Sequence, residues 1–228
     1  MQGLHRVLIA PERLAGWLAG FAERHGPPVA SADAAQLTLV SPDAAEAVID
    51  LIWGPLPGLD PIAELLAQVS RPRRLGALLL RRSAHAVGVF DATELLAHSL
   101  GRHYVQGRTK AGGWSQQRYA RRRANQAERA YDKASEAAVS LLVPRVGELD
   151  GLLLGGDARA LRQVLDTPEL APLAALAQRN ARRPLPVADP NLRVLRDALA
   201  QFLAVPIGLN QAARATSALA QRDDQAGQ

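Results

Sequence analysis

Apolar residues recur at helical spacing over 11–25 (PERLAGWLAGFAERH), where Leu14, Trp17, Leu18 and Phe21 share one stripe and Pro11 stands in the first turn. Gly26-Pro27-Pro28 ends that helix, and QLTLV (36–40) alternates as a short strand. Ser41-Pro42-Asp43 opens a predicted helix over 43–51 that stops near Gly54-Pro55, and another helix is predicted over 60–69. The cluster Arg71-Pro72-Arg73-Arg74 then interrupts the pattern. It marks a boundary between an N-terminal α/β extension or small subdomain, residues 1–70, and a larger domain over 71–208. Residues 209–228 are small and polar and are expected to form a disordered tail.

Beyond the boundary two apolar runs, 75–82 and 86–96, flank a short polar break and predict a hairpin, with a third strand over 102–106. A glycine-rich stretch, 107–113, follows. From Ser115 to about Leu142 there is neither Gly nor Pro, and Ala120, Ala124, Ala127, Tyr131, Ala134, Ala138 and Leu141 repeat at steps of three or four. That is one stripe on a helix of about 28 residues, roughly 40 Å long. Pro144 stops it. LDGLLLGG (149–156) predicts a buried strand, Asp157 stands where a helix cap would, and helices are predicted over 158–166, 169–180 and 190–204, with a short extended link at 184–189. The fold class is therefore α/β: a mixed β-sheet flanked by helices, with a long helix following a glycine-rich basic loop.

Composition narrows the chemistry. An apolar fraction of 48% supports a proper core, and aromatics at only 4% leave Leu, Ala and Val to fill it. The absence of cysteine excludes disulfides, thiolate metal sites and cysteine nucleophiles. The five histidines (5, 25, 85, 98 and 103) show no metal-ligand spacing, so no metal is expected. The apolar runs fall short of the roughly 20 residues that span a bilayer, and the first residues lack a signal-peptide layout. A cytoplasmic protein without a membrane partner is expected.

Charge changes the picture most. The net charge is +5, yet residues 102–123 (RHYVQGRTKAGGWSQQRYARRR) hold seven Arg or Lys and no acid, so the remainder sums to −2 (5 − 7). A patch this local points to a polyanionic partner. At its centre Gly112 and Gly113 precede Trp114, Ser115, Gln116 and Gln117. Ser115 has no evident His/Asp partner for nucleophilic catalysis, and Gly155-Gly156-Asp157 lacks the full dinucleotide-binding pattern and reads as a strand-to-helix turn.

Hairpin, glycine-rich basic loop, long helix opening on an Arg-Tyr-Ala-Arg run, and buried strand ending in Gly-Gly-Asp come in an order that resembles a known one. It is that of the catalytic domain of eukaryotic class-1 translation release factors. More closely, it resembles the release-factor-like domain of the Vms-type peptidyl-tRNA hydrolases in their short actinobacterial form. The carriers are LGALLL (75–80), VGVF (87–90), KAGGWSQQRYARRR (110–123) and LLLGGD (152–157), and the match covers about 75–205. Release factors carry Gly-Gly-Gln, whereas Trp114 follows the glycine pair here. In the Vms-type relatives the glutamine is displaced by a place or two, so the resemblance gives the catalytic role to Gln116, with Gln117 a second candidate. No codon-reading domain is expected before the match and no factor-binding domain after it, which favours rescue of stalled chains over stop-codon decoding.

The resemblance implies a monomeric peptidyl-tRNA hydrolase that works without a cofactor, with large-subunit rRNA and peptidyl-tRNA as partners. The catalytic group is Gly112, Gly113, Ser115, Gln116 and Gln117. A glutamine amide is neutral and offers donors and acceptors, a neighbouring backbone N–H can stabilise the oxyanion, and water attacks the ester directly. Arg108, Lys110, Arg118, Arg121, Arg122 and Arg123 would neutralise RNA phosphates. Five such contacts give a salt slope of roughly −3.5. Trp114 and Tyr104 are candidates to stack on bases, while Tyr119 reads as helix packing. Two rivals share the same loop: an rRNA or tRNA binder without chemistry, and a nuclease acting near the tRNA 3′ end.

Overall fold

The computed structural model describes residues 4–82, 84–102, 131–179 and 183–214. They form two compact units, one of residues 1–71 with 203 onward, the other of 72–202.

The first unit is an antiparallel sheet with two helices. In chain order its elements are β1 (His5–Ile9), α1 (Pro11–His25), β2 (Val29–Ala32), β3 (Gln36–Val40), β4 (Glu46–Asp50) and α2 (Pro61–Ser70). The chain returns much later with the strand Val205–Leu209, and the sheet order is β1, Val205–Leu209, β4, β3, β2. Alternation builds the core: Leu37, Leu39, Ala47, Ile49, Val205 and Ile207 are fully buried, beneath Leu14 and Phe21 of α1 and Leu65 of α2. α2 starts where Asp60 accepts from the Ala63 N–H at 3.0 Å and Pro61 sets the first turn.

Two expectations are corrected here. Residues 43–51 are not a helix. Asp43 accepts from the Ala45 N–H at 3.0 Å, Ala44 takes a positive φ of 64°, and this turn returns the chain as β4. Residues 205–208, expected at the end of the larger domain, and Leu209, expected in the tail, instead form one buried strand between β1 and β4 in the first unit's sheet. Of the tail expected over 209–228, residues 211–214 are helical with Ala213 buried, so that part is ordered, and residues 215–228 lie outside the described residues.

The second unit is a four-stranded mixed sheet. β5 (Arg74–Arg81), β6 (Ala84–Asp91) and β7 (Glu94–Arg102) form an antiparallel meander, and β8 (Gly151–Gly156) runs parallel to β5, giving the order β7, β6, β5, β8. The run 86–96 expected as one strand is split at a turn where Ala92 has φ 50°, and its second half begins β7. The third strand is described from Glu94 to Arg102, and residues 103–106 of the one expected over 102–106 lie outside the described residues.

Leu75–Leu80 and Ala84–Phe90 are buried at every position, as strands covered on both faces must be. One face carries Leu78, Leu80, Val87, Val89 and Leu152. It packs against helical residues 131–141 (α3), α4 (Ala158–Leu165) and α5 (Ala171–Arg179), through Ala134, Ala138, Leu161, Val164, Leu173 and Leu176. On the other face α6 (Leu192–Leu203) brings Leu195 against Gly88, where an added Cβ would lie 2.9 Å from its Cδ2, and Val187 lies against Gly155. Among the described residues no helix is long and apolar enough to cross a membrane.

Candidate nucleic-acid interface

The two ends of the second unit's sheet carry opposite charge. At the end where β5 begins, Arg74 is held by acids. Its guanidinium donates to Glu148 at 2.6 Å and Asp91 at 3.0 Å, and its backbone N–H donates to Asp150 at 2.8 Å. Asp91 foremost, then Glu148, hold the guanidinium above its ordinary pKa. Glu94 pairs with Asp91 across β6 and β7 and adds another acid.

The opposite end is basic. Ala84 pairs with Arg102 on one side and with Arg81 on the other, and Leu80 pairs with Gly156. The last residues of β7, β5 and β8 therefore lie on one edge, together with Arg82 and with Arg159 in the first turn of α4. Arg81 is engaged, donating to the Val187 carbonyl at 2.7 Å and standing 3.6 Å from Asp189. Arg82, Arg102 and Arg159 are exposed.

The Gly-Gly-Asp turn forms part of this edge, and its residues have structural duties. Gly156 has φ +101°, and a Cβ there would collide with the Leu80 carbonyl. The Asp157 N–H donates to that carbonyl at 2.8 Å. The Asp157 carboxylate accepts from the N–H groups of Arg159 and Ala160 at 2.9 and 3.1 Å, capping α4. Its oxygen is thus committed to backbone.

Tyr131 closes the edge from the helix side. Its phenol pKa is raised, by burial first and then by Asp157, with Arg82 and Arg159 pulling the other way. The hydroxyl stays a neutral donor at physiological pH and lies within electrostatic range of all three charges.

Arg102 and Tyr131 are the described residues that flank 103–130 in sequence. Every residue assigned a role from sequence, namely Arg108, Lys110, Gly112, Gly113, Trp114, Ser115, Gln116, Gln117, Arg118, Arg121, Arg122 and Arg123, lies outside the described residues, as do His103, Tyr104 and Tyr119. The other histidines fall as follows. His85 is buried beneath Gly101, where an added Cβ would meet its ring. His98 is exposed on β7 and His5 on β1. His25 is buried, with Nδ1 2.7 Å from Asp43. Among the described residues no three His, Asp or Glu converge as metal ligands. Arg82 and Arg159 carry no motif in the sequence. Only the register of β5 with β8 brings them together, and that pairing joins residues more than seventy positions apart.

Residues 73–208 match the family described as Actinobacteria/chloroflexi VLRF1 release factor. Among solved structures, the chain is similar to a crystal structure of the archaeal translation termination factor aRF1, with 16% identity, a TM-score of 0.43, and coverage of 82% of this chain and 54% of that one. It is also similar to a structure described as an archaeal protein, with 15% identity, a TM-score of 0.40, and coverage of 84% of this chain and 70% of that one. The chain thus spans about half the length of the aRF1 chain.

Proposed function

The chain belongs to the Actinobacteria/chloroflexi VLRF1 release factor family, and from that premise we propose that it hydrolyses the ester joining a nascent peptide to tRNA on stalled large ribosomal subunits. The observation that carries this reading is the acid-free stretch 102–123, with Gly112-Gly113-Trp114-Ser115-Gln116-Gln117 at its centre, inside the matched span.

The chemistry asks little of the protein beyond placement. The bound RNA already holds the ester, and what is missing is a small neutral group that admits water and donates to the developing oxyanion. Gln116, with its own or a neighbouring backbone N–H, supplies electrostatic stabilisation rather than proton transfer. Gln117 takes the role if the register is shifted by one. Gly112 and Gly113 allow the backbone to approach RNA closely where a Cβ would obstruct. Arg108, Lys110, Arg118, Arg121, Arg122 and Arg123 neutralise phosphates along the approach, and Trp114 stacks on an exposed base. Water is the nucleophile, so no covalent enzyme intermediate forms. The protein acts as a cytoplasmic monomer without a cofactor, in rescue rather than codon-directed termination.

The test is peptide release from large subunits loaded with peptidyl-tRNA, with the tRNA 3′ end sequenced afterwards. Free peptide with an intact terminal adenosine supports ester hydrolysis. A shortened tRNA indicates strand cleavage instead, and salt-sensitive binding with no release indicates a binder without chemistry.

A further inference from the structure

We propose that Arg82, Arg102 and Arg159 form a phosphate-contacting surface that grips the sugar–phosphate backbone of large-subunit RNA. The proposal rests on the ribosomal reading above and assigns a role to residues that the motif does not contain.

Position comes first. Arg102 ends β7, Arg82 follows β5, and Arg159 opens α4 directly after β8, so three separate elements deliver guanidinium groups to one edge of one sheet. Arg102 immediately precedes residues 103–130 in sequence, so this edge adjoins the cationic stretch along the chain.

Charge balance comes second. Arg82, Arg102 and Arg159 are exposed and make no ion pair among the described residues. Among the described residues, Asp189 and Asp157 stand at this edge, and the exposed Asp132 follows Tyr131 beside the exposed Lys133. Asp189 faces Arg81, and Asp157 spends a carboxylate oxygen on two backbone N–H groups. By contrast, Arg74 at the far end of the same sheet has two carboxylate partners. A surface that pairs Arg74 with carboxylates at one end and leaves three arginines without an ion pair at the other presents a directed field, one that orients the unit toward a polyanion.

Extent decides the class of anion. β7 and β5 are separated by β6, which sets their backbones roughly 10 Å apart at the usual strand spacing. All three arginines are exposed, and no buried charged side chain encloses a cavity at this edge among the described residues. Such a surface suits successive phosphates of a nucleic-acid backbone better than one small phosphate. On the ribosomal reading, the nucleic acid that offers such a run of successive phosphates is the RNA of the large subunit.

The experiment is binding of the full chain to isolated large subunits, by co-sedimentation over a range of about 50 to 200 mM salt. Arg82→Gln/Arg159→Gln should flatten the plot of log affinity against log salt by about 1 per arginine, about 2 in all. Arg82→Lys/Arg159→Lys should keep most of the slope. The control, Arg193→Gln/Arg196→Gln, removes as much charge from the exposed side of α6 and should leave the slope near wild type. Because Arg82 and Arg159 are exposed, thermal midpoints should stay unchanged, which certifies folding. An unchanged slope in the first variant overturns the proposal. So does an equal flattening in the control, or a loss confined to free tRNA with subunit binding intact. If wild type neither binds subunits nor releases peptide, the ribosomal reading itself falls and takes this proposal with it. If wild type does both and the arginine variants match it, this inference alone is wrong.

Discussion

At Gly156 the backbone needs a conformation and a clearance that no other residue supplies: φ is +101°, and the Leu80 carbonyl occupies the space of a Cβ. Gly156→Ala should therefore cost about 1–3 kcal/mol in chemical denaturation, and the loss should be felt by the β8–α4 junction that carries Arg159. This position was legible, because Gly-Gly-Asp between an apolar run and a helical pattern specifies a strand-to-helix turn. Asp43 was misread. In a Ser-Pro-Asp sequence it resembled a helix opening, whereas its carboxylate holds a hairpin turn and takes the Nδ1–H of buried His25. The bond to His25, then that to the Ala45 N–H, hold its pKa below the usual carboxylate value. A carboxylate so depressed contributes stability that is complete above about pH 4, the unfolded value, and drains away as pH falls through its folded pKa. Asp33 is depressed in the same sense by the N–H groups of Ala35 and Gln36. Equilibrium unfolding followed from pH 6 downward should show an acid limb that Asp43→Asn makes shallower. A limb of unchanged steepness would leave Asp43 without this role.

Among elements, legibility followed burial on two faces. LGALLL and AVGVF are strands covered from both sides, so their continuous apolar runs stand out in sequence. EAVID (46–50) alternates over only five residues, with Ala47 and Ile49 inward, and so short a pattern fits a helix segment as easily. The strand VPIGL (205–209) is the harder case. It pairs with both β1 and β4, yet it contains Pro206 and Gly208, which ordinarily argue against an interior strand. The register resolves this: pairing with β4 covers Ile207–Leu209 and stops before Pro206, so the missing N–H falls where that ladder has ended. Ile207 is fully buried between two neighbours. Ile207→Ala should destabilise the first unit by about 2–5 kcal/mol, seen as an earlier denaturant midpoint. A cost below 1 kcal/mol would mean the strand is peripheral to that sheet.

For the whole molecule, a sheet completed by Val205–Leu209 means that residues 1–70 do not make the first unit alone. No local pattern announces that closure, because β1 and Val205–Leu209 lie some two hundred residues apart in sequence. The candidate site divides in the same way. Its motif, the cationic stretch with Gly112-Gly113 and Gln116-Gln117, is contiguous and can be read directly. Its surroundings, Arg82, Arg159 and Tyr131 at one sheet edge, exist only through strand register. The charge ledger has the same shape: +7 in 102–123 against −2 elsewhere is visible in sequence, while the acidic and basic ends of a single sheet are a property of the fold.

The central claim is that a glutamine amide beside the glycine pair drives ester hydrolysis. Its most direct test is single-turnover peptide release from loaded large subunits by wild type, Gln116→Ala and Gln117→Ala, side by side, with subunit binding measured in parallel. The account predicts that Gln116→Ala loses release by about 100-fold or more, the scale of a lost oxyanion donor, while binding survives and Gln117→Ala remains active. Loss in Gln117→Ala with Gln116→Ala active would move the assignment by one residue. Full release by both variants would contradict the account.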